Sequence, residues 1–210
     1  MAEVDYLLAA LPDRFVIMGQ LLRPFSLGHL MILKRMGNVF VESGKRITLA
    51  DFDHLVSGVL VCSHTYDAAN ELLQNPKLPK IVKQWGKRLG KFNIPAKMRE
   101  FAAYIKGGCT RPEMAIPDGN GCTPGAPFLQ RLKIVLQTEL NHTESEALNK
   151  PFGLAIHDYC ALFEINRAIR ILTDEDKQAA DELAAEAKRL EKELPKLRRQ
   201  ARRLKKRMGL

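Results

Sequence analysis

Long apolar runs are missing from this chain of 210 residues. Runs such as Val59-Leu60-Val61-Cys62 are core-sized and far below the ~20 residues that cross a bilayer, so no membrane role is expected. A basic segment ahead of the first apolar run is missing too. The opening MAEVDYLLAALPDRF carries Glu3 and Asp5 there, unlike a secretory signal, and points to the cytoplasm. Cysteine pairs are absent: Cys62, Cys109, Cys122 and Cys160 are scattered, with no C-x-x-C spacing. This excludes a disulfide framework and a ribbon-type zinc site, and reads as reduced thiols without a metal or cofactor. The glycine-rich Gly119–Gly125 lacks the Lys-Ser/Thr ending of a phosphate loop, and no strand precedes it. Period-2 alternation is nearly absent. Only 38–47, NVFVESGKRI, suggests a small hairpin, around Ser43-Gly44. No internal repeat is found.

What is present is charge, and it is localised. From Lys188 to Leu210 there are eleven Lys and Arg against two Glu, which equals the whole formal net charge of +9. Residues 1–187 balance. The same region carries a second signal. Ala180, Leu183, Ala187, Leu190, Leu194, Leu197, Ala201, Leu204 and Met208 alternate in steps of three and four. That is the period-3.5 seam of a helix built to lie against other helices.

The remainder reads as helices with start and stop signals. Ser26 caps a helix over Leu27–Met36 that Gly37 ends. Thr48 with Asp51, Thr143 with Glu146, and Thr173 with Asp176 form capping boxes. Pro95 suits a first helical turn, and Pro151 starts a long helix, FGLAIHDYCALFEINRAIRIL. Gly107–Pro127 is rich in Gly and Pro and reads as a loop. Pro195 removes a backbone hydrogen bond inside the last helix, which predicts a kink and two pieces, about 174–194 and 195–208. The expectation is a mainly α protein: a multi-helix globular body over 1–172, then a heptad-patterned, amphipathic basic helix over 173–210.

Two segments of the body carry a family resemblance. One is Leu22-Arg23-Pro24-Phe25-Ser26-Leu27-Gly28-His29-Leu30. The other is Thr143-Glu144-Ser145-Glu146-Ala147-Leu148-Asn149-Lys150-Pro151, followed by Ala155, Asp158-Tyr159 and Glu164. Their order and spacing resemble the tail assembly chaperones of tailed phages and prophages. The resemblance implies a small helical cytosolic factor that holds the long tape-measure protein until the tail tube forms. It implies no catalytic residues. The basic region from Lys188 has no counterpart in that resemblance.

His157-Asp158 on a helix suggests a metal-dependent phosphohydrolase, but His29, His54, His64 and His142 stand at no matching spacing. The simpler reading places the dyad on the outer side of a helix whose apolar face is Leu154, Tyr159, Leu162 and Phe163. Cys62-Ser63-His64 with Cys109 and Cys122 suggests zinc only weakly. Lys80, Lys83, Lys87 and Lys91, with Lys77 and Arg88 around Trp85, line one helix face and read as a solvated surface or a phosphate-contacting stripe.

The C-terminal helix is the strongest candidate. Leu190, Leu194, Leu197 and Leu204 form its seam, flanked by Arg198, Arg199, Arg202, Arg203, Lys205, Lys206 and Arg207. These residues are expected to bind a protein client, such as a tape-measure or other tail protein, in a bacterial cytoplasm or a virion. Parallel self-pairing would set eleven positive charges beside eleven more. An acidic partner or the chain's own body is therefore expected on the seam, and any homo-oligomer would use other surfaces. The alternative is a DNA-binding virion or nucleoid protein, binding non-specifically by counterion release. Against it, the segment has no aromatic residue for base stacking. A helical metal-dependent hydrolase is the third reading.

Overall fold

The computed structural model describes residues 6–7, 9–10, 13–42, 44–89, 92–112, 114–115, 125–166 and 170–207, with the backbone alone at 86–89, 114–115, 170–171, 174, 194 and 196–207. The chain is mainly α-helical. Its helices are α1 Leu27–Arg35, α2 Phe52–Cys62, α3 Tyr66–Gln74, α4 Leu78–Leu89, α5 Ile94–Gly108, α6 Phe128–Thr138, α7 Glu144–Asn149, α8 Phe152–Ile165 and α9 Asp174–Arg207. Two compact units result, Glu3–Ile171 and one containing Leu172–Leu210.

The helix starts follow from their caps. Ser26 sits in extended backbone, and its hydroxyl accepts from the His29 amide at 3.2 Å. His29 Nδ1 accepts from the Ser26 amide in return, at 3.2 Å, so a histidine takes the place usually held by Glu. Thr48 with Asp51 and Thr143 with Glu146 close the expected boxes. Backbone amide donation from Thr48 and Thr143 holds both carboxyls below the usual carboxylate range.

The body is organised around the segment that leads into α1. The Arg23 amide donates to Cys62 O at 2.9 Å, at the end of α2. Tyr104 of α5 donates its hydroxyl to Arg23 O at 2.8 Å. The Leu27 amide donates to Lys150 O at 3.2 Å and the Phe152 amide to Phe25 O at 2.7 Å, which joins α1 to the α7–α8 junction. Asn149 Oδ1 accepts from the Tyr66 amide at 2.8 Å. Around this frame Leu27, Leu33, Leu55, Phe101, Leu132 and Leu136 are fully buried. Phe101 meets Phe40 edge-on at 5.0 Å and stacks on Tyr104 at 5.7 Å.

Several expectations are corrected. Among the described residues of 38–47 there is no hairpin. Asn38 caps a 3-10 turn, Val39–Val41, and its side-chain amide donates to His54 O at 2.7 Å. Val39 and Phe40 are both buried, which alternation of faces would not allow. The tight hairpin is instead β1 Val16–Ile17 with β2 Gln20–Leu21, turning through Met18 and Gly19 at φ of 52° and 75°. Positive φ at both central residues is the I′ geometry that matches strand twist. Helix α8 stops at Ile165, well short of the expected end. Arg170–Ile171 forms β4, antiparallel to β3 Met114–Ala115. Gly107 and Gly108 are helical rather than loop residues. A Cβ on Gly108 would lie 2.5 Å from the Phe25 side chain, so that glycine is there for close packing. Residues 113 and 116–124 of the expected loop lie outside the described residues. Helix α9 runs continuously through Pro195, where two pieces were expected.

A Cβ at Gly58 would stand 2.6 Å from the Phe101 ring, and that ring is fixed by Phe40 and Tyr104. Gly58→Ala should cost about 1–3 kcal/mol in urea unfolding despite the better helix propensity. Gly107→Ala, with nothing within 4 Å of its Cβ, should be neutral or stabilising. His29 is buried, and Nε2 lies 2.8 Å from His64 O. Burial first, opposed by that hydrogen bond, lowers its pKa from 6.5 to about 4. The unfolded chain therefore takes up the proton first as pH falls. The contribution of neutral His29 is full above pH 6.5 and is lost progressively towards pH 4, by about 3 kcal/mol. Denaturant titrations should show this slope, and His29→Gln should flatten it.

Candidate functional site

Helix α9 begins with a satisfied box. The Thr173 amide and hydroxyl donate to Asp176 Oδ2 at 3.0 and 2.8 Å, and the Asp176 amide donates to Thr173 Oγ1 at 3.2 Å. Alanines at 179, 180, 184, 185 and 187 then favour the helix. It spans 34 residues, about 51 Å at 1.5 Å per residue. Every residue from Gln178 to Glu193 is exposed. Leu183 is 67% and Leu190 50% exposed, so seam leucines stand in water on this chain. The described polar contacts within this stretch are local: Gln178 to Glu182 at 3.3 Å and Arg189 to Glu193 at 3.6 Å.

The predicted residues are distributed along this one helix. Leu190 is on its exposed surface. Leu194, Leu197 and Leu204 follow on the same heptad line, and Arg198, Arg199, Arg202, Arg203, Lys205, Lys206 and Arg207 share the helical backbone. Nothing is described of the side chains of Leu194 and 196–207. Pro195 falls one residue past the seam, on the outer arc.

The other candidates separate. His157 is buried and meets the Tyr6 ring edge-on at 5.9 Å, a correction to the outward placement expected for it. Asp158 pairs with Lys150 at 2.6 Å, and Lys150 Nζ also reaches His142 Nε2 at 2.9 Å. Among the described residues no three His, Cys, Asp or Glu side chains group to hold a metal ion. Cys62 is in the core, where burial raises its thiol to about 12. Burial raises Cys109 and Cys160 to about 11, so all three are protonated at neutral pH and are poor nucleophiles. Cys122 lies outside the described residues. Lys80 and Lys83 are exposed on α4 while Val82 and Trp85 pack on the core, the ordinary pattern of an amphipathic helix. Only the backbone is described at Lys87 and Arg88, and Lys91 lies outside the described residues.

The two segments that carry the resemblance meet. Ser26 bridges to Pro151, and the Gly28 Cβ position is 2.8 Å from Leu148 O. Phe25–Leu30 and Ala147–Leu148 are buried where they meet, while Arg23, Pro24 and Thr143–Glu146 remain exposed. One feature of the site was missed in the sequence. Residues 174–187 hold Asp174, Glu175, Asp176, Asp181, Glu182 and Glu186 against Lys177 alone, a charge of −5. Counting 1–187 as one balanced block hid it; counting charge helix by helix reveals it.

No protein family, characterised protein or solved structure matches the chain. No helix of the described residues is long and apolar enough to cross a membrane.

Because the Glu3–Ile171 unit holds its own core, removal of 174–210 should leave a cooperative thermal transition near that of the full chain. A molten or insoluble product would show that the helix completes the core.

Proposed function

We propose that the protein is a non-enzymatic tail assembly chaperone, or tail accessory protein, of a tailed phage or prophage, and that it binds other phage proteins through helical surfaces. The observation that carries the protein-binding part is α9: a 34-residue helix with exposed leucines at coiled-coil spacing. Leaving that stripe wet costs roughly 25 cal/mol for each Å² of apolar surface. A helix laid into the seam removes this cost and is read by residues at three- and four-residue steps. The basic surplus after Lys188 favours an acidic segment in the client, and charge of this kind sets orientation and encounter rate more than affinity. The phage assignment rests on the two body segments that resemble that family, and the client it names is the tape-measure protein.

Co-purification with a co-expressed tape-measure protein tests the proposal. Leu197→Asp should weaken capture at every salt concentration, by tenfold or more. Arg202→Ala with Arg203→Ala should weaken it mainly at low salt, because exposed charges are screened over about 10 Å at 0.1 M. If the double arginine variant loses DNA binding while Leu197→Asp changes nothing, the helix is a nucleic-acid arm.

A further inference from the structure

We propose that α9 pairs with α9 of a second copy of this chain, antiparallel and along nearly its whole length. This deepens the assignment of α9 as a protein-contact helix and rests on it.

The helix is a charge dipole on two levels. Residues 174–187 carry −5 and residues 188–210 carry +9. Acid at the start and base at the end do suit the helix's own macrodipole. That effect, however, falls off within the first and last turn. Asp181, Glu182 and Glu186 lie beyond the first turn, and Lys196, Arg198 and Arg199 lie two turns or more before the end. The segregation therefore exceeds what a lone helix uses. Parallel pairing sets like against like over both halves. Antiparallel pairing sets each acidic half against a basic half, and the like-charge objection to self-pairing disappears.

The seam independently supports the same arrangement. With Ala180, Ala187, Leu194 and Ala201 at one core position of the heptad, Leu183, Leu190, Leu197 and Leu204 occupy the other. In one antiparallel register Ala180 meets Leu204, Leu183 meets Ala201, Ala187 meets Leu197, and Leu190 meets Leu194. Every layer but the central ones joins a large residue to a small one, the complementarity that lets facing layers interdigitate. In this register Asp181 and Arg202 lie within one residue of level at the same outer heptad position, and Glu182 and Arg203 at the next, so each acid shares a flank of the pair with a base. Sliding by a heptad one way puts Asp176 and Thr173 opposite Ala201 and Leu204. Sliding the other way brings Asp181 and Glu182 level with Leu210 and Gly209, away from the arginines. At the centre Glu191 and Glu193 each face their own counterpart on the second copy, and Glu193 is paired with Arg189 of its own chain at 3.6 Å. Pro195 falls on the outer face and does not enter the seam.

Light scattering of the full chain at micromolar concentration tests the pairing. The expected mass is twice 23.7 kDa, and Leu190→Asp, at a position exposed on the single chain, should give a monomer of unchanged helicity. Asp181→Arg with Glu182→Arg should weaken the dimer at least tenfold, and adding Arg202→Glu with Arg203→Glu should restore it. Mixing Ala180→Cys chains with Leu204→Cys chains under mild oxidation should yield the mixed disulfide, identified by peptide mass. A monomer throughout the micromolar range overturns the proposal, as does an Ala180→Cys homodisulfide in place of the mixed one. A monomer that still captures client through Leu197 overturns the pairing alone and leaves the client reading standing.

Discussion

The body depends on how closely three segments approach one another at Gly28. A Cβ there would sit 2.5 Å from the Tyr66 ring and 2.8 Å from Leu148 O, distances that side-chain atoms do not occupy. The absence of that atom lets α1 lie against α3 and α7 together. The neighbouring contacts follow from it: the Leu27 amide reaches Lys150 O, and the Phe152 amide reaches Phe25 O. His29, one residue on, caps its own helix through Nδ1, with Nε2 at 2.8 Å from His64 O at the far end of α2. One buried ring thus ties the start of α1 to the end of α2. It can do so only while neutral, because both of its nitrogens are committed inside the core.

Much of this was legible in the sequence where local chemistry decides it. Ser26, Thr48, Thr143 and Thr173 each opened a helix, because an exposed start must find acceptors for its first amides. What was not legible is tertiary. Met18-Gly19 makes a tight turn without the usual Asn-Gly or Asp-Gly signal, and strands of two residues are too short to show a period. Val39 and Phe40 alternate with nothing, because Asn38 turns the chain there instead of extending it. Gly108 read as a breaker when its role is to admit Phe25. The direction in which His157 points could not be read from a helix that is apolar on most sides. Buried residues cover almost the whole first half of α8, so no single face defines its inside.

The candidate site was legible for a different reason. A helix exposed along its described middle stretch carries its instructions in its own order, with no tertiary packing to override them. The seam and the terminal basic cluster were visible directly. The acidic half was missed only because charge was counted over a block larger than the helix. Once the helix bounds are known, the −5 of 174–187 becomes a property of α9 rather than a correction to the body.

Pairing does not exhaust the charge of this helix. Each end of an antiparallel pair opposes +9 to −5 and so keeps a positive surplus. The heptad places that surplus away from the seam: Lys192, Arg199 and Lys206 recur at steps of seven on the outermost face. A dimer built in this way presents a basic line along each outer side while its leucines are covered. The two demands on α9, an apolar seam that must be dry and a basic surface that must meet something acidic, then fall on different faces of the same helix. The residues that close the seam are not those that face outward, so the outer basic line stays available to an acidic surface whether a second copy or a client helix lies in the seam.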